Sequence, residues 1–210
     1  GLQVADSLIK TGVYKNVLVV GTEMTSSFNN WEDRASCILF GDGSGATVLS
    51  RNTEDDGCEI VDSILSCDGT KSQSLILQKG GAKSPISHEV LDKKEQFVTM
   101  DGQLVFKNAV KTMSRHCATL LERNNIPKEE VDWFIPHQAN LRIIETTAKL
   151  LDYPMEKVIV NVDKYANTSS ASIPAALHEA FLDGRIKRGQ TLLFAAFGAG
   201  LTSGAVLLKF

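Results

Sequence analysis

Asp132-Trp133-Phe134-Ile135-Pro136-His137-Gln138-Ala139-Asn140 runs an apolar segment of strand length into a proline, then sets out a histidine and two carboxamides. Asn140 has the character of a helix N-cap for the apolar periodicity that follows over 141–151. A strand that ends by presenting an imidazole at a helix start is where an α/β enzyme keeps a catalytic group. Taken alone, His137 is one of four histidines, and a lone histidine is more often satisfied by a neighbouring carbonyl than chemically active.

Outward from this stretch, elements alternate. Upstream, Leu104, Val105, Ala109, Met113, Cys117, Leu120 and Leu121 recur at helical spacing, so a long helix begins near Asp101 and ends near Asn124-Asn125. Downstream, Tyr153-Pro154 breaks the 141–151 helix, 158–162 reads as a short strand, and 165–172 is small and polar. A helix then runs over 173–182 to a stop at Asp183-Gly184. A buried strand covers 191–197, a tight bend falls at Gly198-Ala199-Gly200, and a last strand covers 205–210.

The first half is less regular. Leu2, Val4, Ala5, Leu8 and Ile9 form one helix face, and 16–22 reads as a buried strand. Apolar runs at 37–40 and 46–50 flank Gly41-Asp42-Gly43-Ser44-Gly45, and 59–66 reads as another strand. Residues 68–95 are rich in Gly, Ser, Lys and Pro and read as a surface excursion, with His88 exposed. The division expected is 1–95 and 96–210, with the two parts as possible related repeats, the first of them truncated.

Composition excludes several classes. The 210 residues are 43% hydrophobic and 22% charged with a net charge of −3, so no basic excess points to nucleic acid. No apolar run is long enough to cross a bilayer, and no leader peptide is visible. Cys37, Cys58, Cys67 and Cys117 contain no C-x-x-C pair, so neither a metal site nor a disulfide scaffold is expected, and reduced thiols in a cytoplasmic protein are the default. Gly41-x-Gly43-x-x-Ala46 fits a dinucleotide pattern formally, but the run continues as strand, so a β-β turn is the better reading. No serine has the flanking glycines of a hydrolase nucleophile elbow.

Three blocks together carry a resemblance. Pro136-His137-Gln138-Ala139-Asn140-Leu141-Arg142, Asn167-Thr168-Ser169-Ser170-Ala171-Ser172-Ile173-Pro174 and Ala196-Phe197-Gly198-Ala199-Gly200 resemble the β-ketoacyl-[acyl carrier protein] synthase III family of thiolase-like condensing enzymes. Phe40-Gly41-Asp42-Gly43-Ser44-Gly45-Ala46 is similar to that family's inter-strand turn. The resemblance implies a layered αβαβα fold, with a truncated first half and a complete second half. It implies a decarboxylating condensation of acyl-CoA with malonyl-[acyl carrier protein], with no cofactor beyond coenzyme A esters as substrates, and a homodimer with 16–31 near its interface. It assigns His137 and Asn167 as donors to the malonyl thioester oxygen, the Ala199 N–H to an oxyanion hole and Phe197 to the site lining. Arg142 falls at the carrier-protein docking face, which Lys149, Arg185, Lys187 and Arg188 could extend.

The family's nucleophile is a cysteine at a helix N-terminus, where dipole and N–H groups lower its pKa. The helix over 2–10 resembles the later part of that element, so the cysteine is expected before Gly1, and none of the four present replaces it. Alternatives are a related synthase using CoA esters only and a non-catalytic subunit or fragment of the same fold. The span by itself is expected to be inactive and to expose apolar faces at 17–20 and 192–194. Expressed alone it should aggregate or require further chain. A monodisperse 210-residue monomer with a cooperative melt would contradict that expectation.

Overall fold

The strand Trp133–Pro136 (β6) and the strand Thr191–Gly198 (β7) pair in parallel, from Trp133 opposite Leu192 to Pro136 opposite Ala195. Both are apolar on both faces, the pattern of strands covered from two sides. Phe134, Leu193 and Ala195 enter one core cluster, while Ile135, Leu192 and Phe194 enter the other. Side chains alternate across a strand, so this assignment needs a helical layer on each face. The computed structural model describes residues 1–52 and 58–210 and supplies both layers.

One layer holds the helices Gly102–Arg123 (α3) and Leu141–Leu150 (α4). α3 buries Val110, Met113, Cys117 and Leu120 against the sheet, and Asp101 caps its first turn through Leu104 N–H. The opposite layer holds Leu2–Lys10 (α1) and Ser172–Leu182 (α6), with Ala176 and Ala180 packed on Ile135 and Leu192. The sheet continues through Thr202–Lys209 (β8) to Glu59–Cys67 (β3), both antiparallel, giving the order β3-β8-β7-β6. Beyond α1 and α6 lies a second sheet, Asn16–Glu23 (β1) antiparallel to Gly43–Ser50 (β2). The layers run α-β-α-β, four of the five layers of the expected αβαβα order. The outer face of β1–β2 carries Leu18, Val20 and Val48 at 63%, 55% and 64% exposure.

Several sequence expectations need correction. The strand over 16–22 is buried on one face only, because α1 and α6 cover just its inner side. Residues 192–194 are buried, not exposed, since α6 covers Leu192 and Phe194 and α3 covers Leu193. Residues 37–40 form turns with a single parallel bridge between Phe40 and Asn167, and of the glycines expected in a turn Gly43 and Gly45 lie within β2. Over 158–162 the expected strand is reduced to one parallel bridge, Val158 opposite Phe134, with Ile159 N–H on the Phe134 carbonyl. Beyond it the Gln138 side chain takes the hydrogen bonds that a strand neighbour would make, from Nε2 to the Ile159 carbonyl (3.1 Å) and from Asn161 N–H to Oε1 (2.9 Å). The chain then coils into the short helix Val162–Tyr165 (α5).

The 68–95 excursion is less superficial than its composition suggests. Asp68 and Leu201 exchange both backbone hydrogen bonds, Leu75–Leu77 (β4) pairs with Val98–Met100 (β5), and Val90 of the short helix His88–Asp92 (α2) is buried. His88 is exposed, as expected.

β1 passes very close to the turn that precedes α6. A Cβ on Gly21 would fall 2.6 Å from the Ser170 carbonyl oxygen, and one on Gly45 would fall 2.8 Å from the Pro174 ring. Gly21→Ala should therefore destabilise the protein by about 1–3 kcal/mol, the usual cost of overpacking. Gly69→Ala, with open space around it, should stay within about 0.5 kcal/mol in the same denaturant titration. Equal effects at the two positions would rule out the close approach.

Candidate functional site

Parallel β6 and β7 end together, and the residues just past their ends collect there. Pro136 has no N–H to continue the ladder. His137 instead donates its backbone N–H to the Ala195 carbonyl at 2.7 Å, and its own carbonyl accepts from Ala139 N–H. Asn140 Oδ1 accepts from Ile143 N–H at 2.9 Å and starts α4, as its sequence position indicates. Gln138 is fully inside, donating to the Pro136 and Ile159 carbonyls and accepting from Asn161 N–H. Its role is to fasten the strand end to the 159–161 segment.

The His137 ring reaches across to α6, with Nδ1 2.6 Å from the Ser172 hydroxyl. Burial pushes the imidazole down to about 4, against a smaller opposing effect of the Glu23 charge. At neutral pH the ring is uncharged, so it can offer one N–H without acting as a strong acid.

Asn167 opens the turn that leads into α6, five positions before Ser172. Its backbone is held on both sides by the 39–41 segment, donating to the Leu39 carbonyl and accepting from Gly41 N–H. Its side-chain Oδ1 accepts from Ser169 N–H at 2.9 Å. Among the described residues no hydrogen bond engages its Nδ2, so the donor end of the amide is unclaimed. Ala166, just before it, sits at φ 57°, a conformation that costs a non-glycine residue about 1–3 kcal/mol and concentrates at functional sites.

Glu23, at the end of β1, did not stand out in the sequence. It accepts from the Ser170 hydroxyl (2.5 Å) and N–H (3.2 Å), fastening the 169–171 turn. Burial works against its charge, yet the Ser170 and Ser169 hydrogen bonds and His137 together hold its carboxyl below the usual range. Ser172 was also missed as a site residue. A carboxylate directly after a strand, two positions beyond Gly21, was the available signal for Glu23. Nothing in the sequence pairs Ser172 with a histidine thirty-five positions away.

The remaining candidates are spread around this end. Phe197 is the penultimate residue of β7, half-buried against the α3 side and lining a cavity of about 1040 Å³ that His137 also lines. The cavity runs between the two sheets past Val19, Leu49, Ile173 and Phe194 towards Phe210. Ala199 is exposed in the Gly198–Gly200 bend, and its carbonyl accepts from Thr202 Oγ1 at 2.9 Å. Behind that bend His116, buried on α3, shares hydrogen bonds with the hydroxyls of Ser66 and Ser203.

Arg142 is exposed on the first turn of α4, with its guanidinium 4.8 Å from the Phe106 ring centroid. Lys149 lies further along the same helix. Arg185, Lys187 and Arg188 do not extend this surface. They precede the start of β7, whereas Arg142 follows His137 at its far end, and β7 is eight residues long. At about 3.3 Å per residue the strand between the two groups is ~25 Å long. Arg185 is paired with Asp183, and Arg188 stacks on Phe210 and contacts Cys58.

Cys117 is buried on α3, and burial pushes its thiol up, away from thiolate formation. Cys37, Cys67 and Cys117 make no hydrogen bond to His137 or Asn167 among the described residues. Among those residues no group of three or more His, Cys, Asp or Glu side chains could hold a metal ion, and no helix is long and apolar enough to cross a membrane.

The chain is similar to known proteins along its whole length. A family model described as 3-oxoacyl-[acyl-carrier-protein (ACP)] synthase III matches residues 1–69, and one for the C-terminal part of the same synthase matches residues 121–210. A beta-ketoacyl-[acyl-carrier-protein] synthase III of Campylobacter curvus (strain 525.92) is 49% identical over 209 residues, covering 100% of this chain and 62% of that protein. The same-named protein of Aliarcobacter butzleri (strain RM4018) is 47% identical over 209 residues with the same coverage, 100% and 62%. The crystal structure of 3-oxoacyl-[acyl-carrier-protein] synthase III from Aquifex aeolicus VF5 matches with a TM-score of 0.89 at 44% identity, over 100% of this chain and 62% of that one. The chain thus spans 62% of the length of these relatives.

The His137 environment has a measurable consequence. Followed by NMR, its ring should titrate near 4, not near the ordinary value of about 6.5. The unfolded chain then takes up this proton first, so the contribution to stability is complete above about pH 6.5 and lost as pH falls towards 4. Glu23→Gln removes a charge that favours the imidazolium and should move the midpoint lower still. An upward move would contradict the arrangement.

Proposed function

The chain belongs to the 3-oxoacyl-[acyl-carrier-protein] synthase III family, and on that premise we propose that the protein carrying it is an acyltransferase of fatty-acid initiation. It would condense acyl-CoA with malonyl-[acyl carrier protein], releasing coenzyme A, CO₂ and 3-oxoacyl-[acyl carrier protein]. The observation that carries this reading is a neutral imidazole at the end of β6 bonded to Ser172, the last residue of the turn that begins at Asn167 with its unclaimed carboxamide donor.

The chemistry asks for such groups. A cysteine thiolate takes the acyl group from acyl-CoA and expels the CoA thiolate. The malonyl thioester then loses CO₂, its electron pair passes to the α-carbon, and negative charge spreads onto the thioester oxygen. Two neutral donors aimed at that oxygen lower the barrier without quenching the carbanion by protonation. We assign them to the imidazole N–H of His137 and Nδ2–H of Asn167. The carbanion attacks the acyl-cysteine carbonyl, whose developing oxyanion is assigned to the Ala199 N–H, and collapse restores the thiolate. Phe197 shields the site from water, being part of the cavity wall.

The acyl-carrying thiol is assigned to the part of the protein outside residues 1–210, because the relatives are longer and Cys117 is buried with a raised pKa. These residues alone would then be inactive. Arg142 is assigned to the acidic carrier protein, which an exposed guanidinium can steer. A homodimer is supported by the exposed apolar side chains of Leu18, Val20, Met24 and Trp31 within 16–31. The division into a first half (1–95) and a second half (96–210), a cytoplasmic setting and the absence of a cofactor complete the reading.

The test is CO₂ release by the full-length protein from malonyl-[acyl carrier protein] in the presence of acyl-CoA. His137→Ala and Asn167→Ala should each lower it on the order of 10²–10³-fold. Undiminished release in both variants would overturn the assignment.

A further inference from the structure

We propose that Ser172 is a positioning residue of this site: its hydroxyl donates to His137 Nδ1 and holds the imidazole in the tautomer that carries its proton on Nε2. The inference deepens the reading of His137 as a hydrogen-bond donor and rests on it.

The argument is one of donors and acceptors. Ser172 is 2% exposed, so its hydroxyl must be satisfied by protein groups. Two groups lie within hydrogen-bond distance of Oγ: Gln138 N–H at 3.3 Å and His137 Nδ1 at 2.6 Å. A backbone N–H can only donate, so Gln138 occupies a lone pair of Oγ. The hydroxyl hydrogen then needs an acceptor. No carbonyl or carboxylate among the described residues accepts from Oγ, and its place in the first turn of α6 does not lead it back to a helix carbonyl. Nδ1 is the acceptor that remains. Were Nδ1 protonated instead, Oγ would receive two donors and its own hydrogen would be stranded inside the protein.

The tautomer matters for the chemistry. A carboxylate beside Nδ1 would hold a proton there and leave Nε2 as a bare base, the arrangement suited to taking a proton from a nucleophile. A hydroxyl that donates to Nδ1 produces the converse: Nε2 keeps its proton and can only donate. No hydrogen bond claims Nε2 among the described residues. Glu23, the nearby carboxylate, is engaged with Ser170 rather than with the ring itself. Ser172 therefore selects between two chemistries available to the same imidazole.

The Ser172 contact depends in turn on Gln138. With its side chain fastened to Pro136, Ile159 and Asn161, Gln138 presents its backbone N–H at a fixed place and orients the hydroxyl from the far side.

The experiment uses the full-length protein with ¹⁵N-labelled histidine, the His137 signals being those lost in His137→Ala. In the wild type at neutral pH the spectrum should show a protonated Nε2 and a bare Nδ1. Ser172→Ala should shift the ring towards a tautomer mixture and lower kcat for decarboxylation about tenfold, the size of one lost hydrogen bond, with KM little changed. Ser172→Thr, which keeps a hydroxyl, should recover most of that loss. A wild-type ring protonated on Nδ1 overturns the proposal whatever the variants do. So does a Ser172→Ala protein that retains both the Nε2–H tautomer and its kcat. Failure of the underlying reading is separate: undiminished decarboxylation in His137→Ala removes the donor role, while the wild-type spectrum still decides the tautomer.

Discussion

The two-sided burial of β6 and β7 is the constraint on which the rest of the molecule depends. With helices on both faces, the backbone of these strands is cut off from water, and each N–H and C=O needs a protein partner, in the sheet or, at the outer edge of β6, from Ile159 N–H and the Gln138 side chain. The pairing is closed at the start by Asp132, whose backbone and carboxylate bond Thr191, and at the end by His137 N–H on the Ala195 carbonyl. The interior positions of these strands, 134–135 and 192–197, are accordingly apolar, and polar side chains gather at and beyond the strand ends. The dry, two-sided sheet concentrates its chemistry-bearing residues at that edge because it excludes them elsewhere.

What collects there is then sorted by hydrogen bonding. The 167–172 turn is held by Asn167 Oδ1 on one side and Glu23 on the other, and its last residue reaches the His137 ring. Gly21 and Gly45 let β1 and β2 approach this turn closely enough for Glu23 to meet it. The first sheet thus contributes to a site whose named side chains come from the second half of the chain. Burial keeps the imidazole neutral, and the hydroxyl beside it directs the remaining proton.

Much of the fold was legible locally. The α3 and α4 helices follow their apolar spacing, and Asp101 and Asn140 cap them as their types and positions require. Failures arose where tertiary partners override local pattern. The 158–162 run has strand composition and begins to pair with β6 through Ile159 N–H on the Phe134 carbonyl, yet the Gln138 side chain takes the next backbone groups and the pairing stops at a single bridge. The glycines at 43 and 45 look like turn residues but serve as strand positions where bulk is forbidden by α6 and the turn before it. Arg185 to Arg188 resemble part of a basic surface until the length of β7 separates them from Arg142.

The sequence by itself determined most of the chain of elements, the family resemblance and the choice of His137 and Asn167 as candidates, because these rest on periodicity and on contiguous motifs. Only the tertiary structure decided the state in which His137 is held. Its neutrality comes from burial, and its orientation from Ser172 and Gln138. Glu23 reaches the same turn from the end of β1. These are relations between residues far apart along the chain, and a one-dimensional pattern carries no distance between them. A histidine can be recognised from its neighbours in sequence, but the direction of its proton depends on its neighbours in space.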